Sequence, residues 1–130
     1  MLLFTNISFD VSVQEIYYGL IAGVEMYCYA DSTLKDISQL VKIIVDNSID
    51  ILYLPTSFTK ILLKDSLFTA LLGNPVKHIV TAGEKLILSP NYSSIFNQSD
   101  FVLHNQYGPA ETHVATCFEI DQSYTNGQIP

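Results

Sequence analysis

Short runs of β-branched and aromatic residues alternate along this chain with stretches whose apolar positions recur every three or four residues, the spacings that distinguish strands from helices. Asp10 and Ser12 precede Val13, Ile16, Tyr17 and Leu20, which predicts a short helix with a polar cap. Gly19 weakens that helix and Gly23 marks its end. Residues 24–30 predict a strand in which Tyr27 and Tyr29 face away from Cys28. The clearest helix is predicted over 34–45, where Leu34, Ile37, Leu40, Val41 and Ile44 form one stripe behind a cap at Asp31 or Ser32.

Residues 49–54 are an apolar run halted by Pro55, which predicts a buried strand. Thr56 or Ser57 then caps a helix with Phe58, Ile61 and Leu62 on its apolar face. A second helical run covers 67–72 and is punctuated by Gly73-Asn74-Pro75. A strand over 79–82 ends in Gly83-Glu84, and residues 87–99, with Pro90, Asn91 and several serines, read as loop or weak helix. A last parallel strand is predicted at 101–103 and a further strand over 114–120. Strand and helix alternating in this order predict an α/β fold, a mostly parallel sheet with crossover helices, in one continuous segment without repeats or linkers.

Composition narrows the class. Six Lys plus Arg stand against 13 Asp plus Glu, a net charge of −7. The cation clusters that phosphate backbones require are missing, so no nucleic-acid partner is expected. A hydrophobic content of 48% excludes intrinsic disorder. No stretch approaches the apolar length of a membrane span, and no secretory leader is legible at Met1-Leu2-Leu3-Phe4. A cytoplasmic protein without membrane contact is therefore expected, with Cys28 and Cys117 as buried thiols. His78, His104 and His113 are scattered, so no dedicated zinc site is expected. The low charge and high aromatic content, with Ile129-Pro130 directly after a turn signal at Asn126-Gly127, read as an interior piece of a larger protein.

In open α/β sheets ligands collect outside the carboxyl ends of the strands. Three segments fall at such ends: Pro55-Thr56-Ser57, Gly83-Glu84 and residues 105–111. The third offers a stacking ring at Tyr107, a turn at Gly108-Pro109, and at Glu111 a carboxylate suited to a hard cation such as Mg²⁺. Asp10 reads either as a helix cap or as a carboxylate reserved for a cationic group. Neither GxGxxG nor GxxxxGK[ST] is present, so the chain holds no complete nucleotide site.

Four motifs in register carry a resemblance. Phe9-Asp10-Val11-Ser12 resembles the FDxS motif, and residues 105–112, Asn-Gln-Tyr-Gly-Pro-Ala-Glu-Thr, resemble the NxYGPTE motif, of the amino-acid-activating adenylation domains of nonribosomal peptide synthetases. Between them, Leu52-Tyr53-Leu54-Pro55 resembles the strand end xLPP, and Thr81-Ala82-Gly83-Glu84-Lys85-Leu86 resembles the TAGE-L loop. The likeness covers essentially the whole chain. It implies residues 1–130 as a partial adenylation domain, a central piece of the large N-terminal domain of an adenylate-forming enzyme, incomplete at both ends.

Such an enzyme activates a carboxylic acid with ATP and passes it to the phosphopantetheine thiol of a peptidyl carrier protein, with a condensation domain expected in the same parent chain. The resemblance implies that Asp10 binds the α-amino group, Tyr107 stacks on adenine, and Asn105 and the backbone of Gly83, Glu84 and Lys85 contact the base. Gly108 and Ala110 would line the nucleotide, and Glu111 would hold Mg²⁺. The substrate pocket would comprise Asp10, Val11, Gln14, Tyr53, Val80, Ala82, Gln106, Val114 and Ala115. No member after Asp10 is charged, which disfavours a charged substrate side chain, and the set resembles codes associated with proline or a methylated proline.

Two departures stand out. Ala110 replaces the family's Thr or Ser, a hydroxyl toward the α-phosphate worth about 1–3 kcal/mol in the transition state. Thr56 replaces a common second proline and reads as neutral. No catalytic residue is expected within the chain: the phosphate loop is expected upstream, the ribose-binding Asp and the catalytic Lys downstream. The 130 residues alone are expected to be inactive. Two other readings share parts of the pattern. One is the activating domain of an acyl-CoA ligase or carboxylate reductase, which Asp10 in its FDxS setting disfavours. The other is a non-catalytic α/β interaction module.

Overall fold

The computed structural model describes residues 1–87, 92–109 and 111–121. Its strands are β1 (Leu2–Leu3), β2 (Tyr27–Cys28), β3 (Ile51–Pro55), β4 (His78–Ala82), β5 (Val102–Tyr107) and β6 (Thr116–Ile120). They form one sheet in the order β2-β1-β3-β4-β5-β6. β1 to β5 are parallel and β6 returns antiparallel to β5, so the sheet is mostly parallel, as the alternating pattern predicts. The connections carry α1 (Val11–Ala22), α2 (Asp31–Leu34), α3 (Ile37–Asp46), α4 (Thr56–Leu62), α5 (Ser66–Thr69) and α6 (Ser93–Gln98).

Register builds two unlike faces. On one, Leu2 pairs with Leu52, Leu52 with Ile79, Ile79 with Leu103 and Leu103 with Ile120, an unbroken apolar row. Leu34, Leu40, Ile44, Leu62, Phe68 and Phe96, drawn from α2 to α6, bury against it. On the other face Tyr53 pairs with Val80, Val80 with His104 and His104 with Glu119. There a smaller cluster of Met1, Ile51, Tyr53 and Val80 packs against Val11 at the start of α1.

α1 has the predicted period and cap but the opposite face inward. Ser12, Glu15 and Gly19 are buried, while Val13, Tyr17 and Leu20 of the predicted stripe are exposed, as is Ile21. The inward side chains explain the inversion. The Glu15 carboxylate accepts the Phe4 amide (3.2 Å), the Thr5 amide (3.1 Å) and the Thr5 hydroxyl, fastening the chain that leaves β1. Burial pushes the Glu15 carboxyl above its ordinary range, against the hydrogen bonds that favour the charged form. At Gly19 a Cβ would stand 2.2 Å from Met26 Sδ, so the absent side chain is what lets α1 lie against Met26.

Other departures have local causes. The predicted helix over 34–45 is split, because Asp36 adopts an extended backbone and caps α3 through the Gln39 amide (3.1 Å). Asp31 opens α2 instead of capping it. Only two residues of the predicted strand over 24–30 pair, and the equally short β1 was not anticipated. β5 runs on through Asn105, Gln106 and Tyr107, which are strand residues and not loop. Cys28 and Cys117 are exposed, not buried, because each lies on an edge strand. Residues 88–91, Ala110 and the turn expected at Asn126-Gly127 lie outside the described residues. Among the described residues no helix is long and apolar enough to cross a membrane.

Candidate functional site

A crevice of about 380 Å³ opens at the carboxyl ends of the parallel strands. Phe4, Thr5 and Asn6 enter it after β1, and Phe9, Asp10 and Val11 from the start of α1. Pro55 ends β3 and Thr56 follows it, Ala82 ends β4 and Gly83 and Glu84 follow it, and Gln106 comes from β5. Asp31 and Lys35 add charge from α2 and the residue after it. Its acids are Asp10, Asp31 and Glu84 and its one base is Lys35, which pairs with Asp31 at 3.5 Å. The charge is set for a cation, not for a bare anion.

Asp10 is both a cap and the most developed polar group here. Its Oδ1 accepts the Val11 amide at 2.9 Å, and His113 Nδ1 lies 3.2 Å from its Oδ2. The hydrogen bond from His113 is the main reason that the Asp10 carboxyl lies below its ordinary range. His113 was not singled out by sequence reasoning. It stands 103 residues from its partner, a separation no local spacing rule connects.

The loop after β4 is fastened from below. The Thr56 hydroxyl lies 3.0 Å from the Ala82 carbonyl and 3.3 Å from that of Glu84, and the Thr81 hydroxyl donates to it at 3.1 Å. Thr59 completes the buried hydroxyl group at 3.3 Å from Thr81, and Lys60 Nζ donates to the Lys85 carbonyl at 3.0 Å. Thr56, which reads as neutral in the sequence, is thus a buried anchor of residues 82–84. No proline could supply that hydroxyl.

Of the residues expected to bind substrate or nucleotide, the crevice gathers Asp10, Val11, Val80, Ala82, Gly83, Glu84 and Gln106. Gln14 lies one turn along α1, and the Oε1 atoms of Gln14 and Gln106 are buried without a hydrogen-bond partner among the described residues. Tyr53 is buried, and burial, before the nearby Tyr18 and Glu15, pushes its phenol up to about 12. Asn105 is buried on β5, while the Tyr107 ring at the strand end is 71% exposed. Gly108, Glu111 and Lys85 are exposed, Val114 is half-buried, and the Ala115 amide donates to the Tyr107 carbonyl at 2.9 Å.

His78 and His104, scattered in sequence, meet on adjacent strands with Nδ1 and Nε2 3.1 Å apart, and Glu119 lies 3.4 Å from His104. Among the described residues no group of three or more His, Cys, Asp or Glu converges to hold a metal.

Comparison with known proteins agrees with this geometry. The model of the family described as AMP-binding enzyme matches residues 1–129. Gramicidin S synthase 2 of Brevibacillus brevis is 34% identical over 130 residues, all of this chain and 3% of that protein. Tyrocidine synthase 2 of Brevibacillus parabrevis is 35% identical over 130 residues, all of this chain and 4% of that protein. The chain thus spans a few hundredths of the length of these relatives. The solved N-terminal subdomain of Klebsiella oxytoca NpsA, in complex with anthranilyl-AMSN, superposes with a TM-score of 0.80 at 20% identity, covering 99% of this chain and 33% of that one. The chain belongs to the AMP-binding enzyme family, and its sheet and crossover helices are those of the N-terminal subdomain of adenylate-forming enzymes.

Proposed function

We propose that this chain forms the amino-acid pocket and one nucleotide wall of an ATP-dependent enzyme that activates an α-amino acid as its aminoacyl-adenylate for nonribosomal peptide synthesis. The observation that carries the reading is the anionic crevice at the strand ends with the half-exposed Asp10 carboxylate held in its lining. An ammonium leaving water needs a carboxylate already ionised and oriented. Asp10 meets both conditions through Val11 and His113.

The remaining pocket positions, Val11, Gln14, Tyr53, Val80, Ala82, Gln106, Val114 and Ala115, carry no formal charge. A charged substrate side chain would find no partner among them, which supports a compact apolar amino acid, proline or methylproline. The unpartnered Oε1 atoms of Gln14 and Gln106 are where a substrate's polar hydrogens would find acceptors.

The exposed ring of Tyr107 suits stacking on adenine, with Asn105, Gly108, Ala110 and the backbone of Gly83 to Lys85 around the base and phosphates. Mg²⁺ keeps most of its waters and takes one or two carboxylates beside substrate phosphates, so the single exposed carboxylate of Glu111 fits its needs. When bound, the ion neutralises charge on the phosphate oxygens. In the reaction a substrate carboxylate oxygen attacks the α-phosphorus and pyrophosphate departs; this chain binds and orients. The product then passes to the phosphopantetheine thiol of a peptidyl carrier protein, with a condensation domain in the same cytoplasmic parent.

Amino-acid-dependent ATP–pyrophosphate exchange by the synthetase containing this chain tests the assignment. Proline or a methylproline is expected to support the fastest exchange, and the 130 residues alone none. Preference for glutamine or an aromatic amino acid would overturn the substrate, and exchange from the isolated chain would overturn the division of labour.

A further inference from the structure

The loop after β5 folds back on itself, and that fold delivers His113 to Asp10. The Thr112 amide donates to the Pro109 carbonyl at 3.1 Å and the Ala115 amide to the Tyr107 carbonyl at 2.9 Å. Between them His113 adopts a φ of 56°, a left-handed backbone that a residue with a Cβ takes up at a cost. Gly108 makes room, because a Cβ there would stand 1.6 Å from the His113 carbonyl oxygen. The strain and the missing side chain act to one end, a ring nitrogen 3.2 Å from Asp10 Oδ2.

That contact leaves the carboxylate held at two points. Oδ1 takes the Val11 amide and Oδ2 takes His113, one partner each. Each carboxylate oxygen has a second lone pair, so both remain able to accept from an incoming ammonium. The other charged groups along the crevice are Asp31 with its partner Lys35, and Glu84. None of the three hydrogen-bonds or ion-pairs with Asp10, and among the described residues His113 is the one side chain that bonds that carboxylate.

We propose that His113 is a positioning residue for amino-acid binding: it fixes the Asp10 carboxylate for the substrate's ammonium and ties that carboxylate to the loop carrying Glu111. The proposal rests on the amino-acid-activating reading above. Because His113 acts through Asp10, its loss weakens capture of the amino acid and leaves capture of the nucleotide unchanged.

Three variants in the synthetase separate the side chain from the backbone. His113→Gly keeps the left-handed conformation without strain and removes the donor, and is expected to raise the amino-acid KM about tenfold, the scale of a hydrogen bond to a charged group. The KM for ATP is expected to hold within about twofold. His113→Asn returns a donor at the position of Nδ1 on a residue that tolerates positive φ, and is expected to restore the amino-acid KM. Carbon-13 titration of the Asp10 carboxyl supplies a readout apart from activity: its midpoint is expected to rise toward the ordinary aspartate value in His113→Gly and to return in His113→Asn. Asp10→Asn serves as the reference. If it removes amino-acid dependence while His113→Gly leaves the amino-acid KM and the Asp10 titration as they were, His113 is a bystander and the proposal falls alone. If Asp10→Asn leaves the amino-acid KM unchanged, the amino-acid reading falls and takes the proposal with it.

Discussion

On one face of the sheet the row Leu2, Leu52, Ile79, Leu103 and Ile120 is sealed by helices α2 to α6, whereas on the other the row Tyr53, Val80, His104 and Glu119 turns polar toward β6 beneath α1. The first face is built for cohesion. Its side chains lose all contact with water, and each contributes the hydrophobic free energy of a full burial. The second face carries Val80, Ala82 and Gln106 of the crevice lining, and its helix buries a serine, a glutamate and a glycine while turning Val13, Tyr17, Leu20 and Ile21 outward. The sealed core and these crevice residues thus lie on opposite sides of the same strands, residue by alternate residue.

Substitutions on the two faces should separate these roles. Phe68→Ala or Leu52→Ala opens a cavity in the sealed face and is expected to cost about 3–5 kcal/mol, measured by urea unfolding. A loss under about 1 kcal/mol would mean that this face is not the source of cohesion. Thr56→Val keeps the shape but leaves the Thr81 hydroxyl and two loop carbonyls short of a partner, with an expected cost of about 1–3 kcal/mol. If the loop it holds is the adenine-side wall, as proposed above, the same change in the synthetase is expected to raise the KM for ATP.

The helix-covered site face also has a pH signature. Glu15 binds its proton more tightly folded than unfolded, so it favours the folded chain most below its unfolded value of about 4.5, and that advantage is lost as pH rises through the raised folded value. The stability of the native chain relative to Glu15→Gln is therefore expected to increase as pH falls through this window. A difference independent of pH would remove Glu15 as a buried carboxylate. Asp10 works in the opposite sense: its contribution is present above the unfolded aspartate value and fades as pH falls through its lowered folded value. Smallest of all, Ile21→Ser on the outward face of α1 is expected to change stability by less than about 0.5 kcal/mol, checked in the same urea series. A larger loss would show that the exposed row is packed after all.

The same contrast explains what could be read from the chain. Along 49–54 and 79–82 mostly apolar runs announce strands buried on both sides, and the helix carrying Leu40 and Ile44 shows a stripe that only an apolar partner can use. Both strands formed where the pattern puts them, and the helix did so from Ile37 onward. α1 has an equally plain stripe, and it misled, because hydrogen bonds from the Phe4 and Thr5 amides to Glu15 and the close approach at Gly19 decide which side faces the sheet. Such tertiary partners leave no periodic trace. β1 and β2 are two residues each, too short for any alternation to register. At the site, motif order located Asp10, Gly83, Glu84 and Gln106, which the crevice brings together. Thr56 and His113 escaped, since the value of a hydroxyl under a distant loop or of a ring meeting residue 10 exists only once the strands are paired.

The claim that Asp10 reads the substrate's ammonium is tested most directly by comparing proline with tetrahydrofuran-2-carboxylate, its ring-oxygen analogue, in ATP–pyrophosphate exchange by the synthetase containing this chain. A site built to bind a charged nitrogen should discriminate between them by at least about 10²-fold in kcat/KM, and Asp10→Asn should erase most of that discrimination by slowing proline alone. Equal exchange with the two acids, or a discrimination that survives Asp10→Asn, would contradict the account.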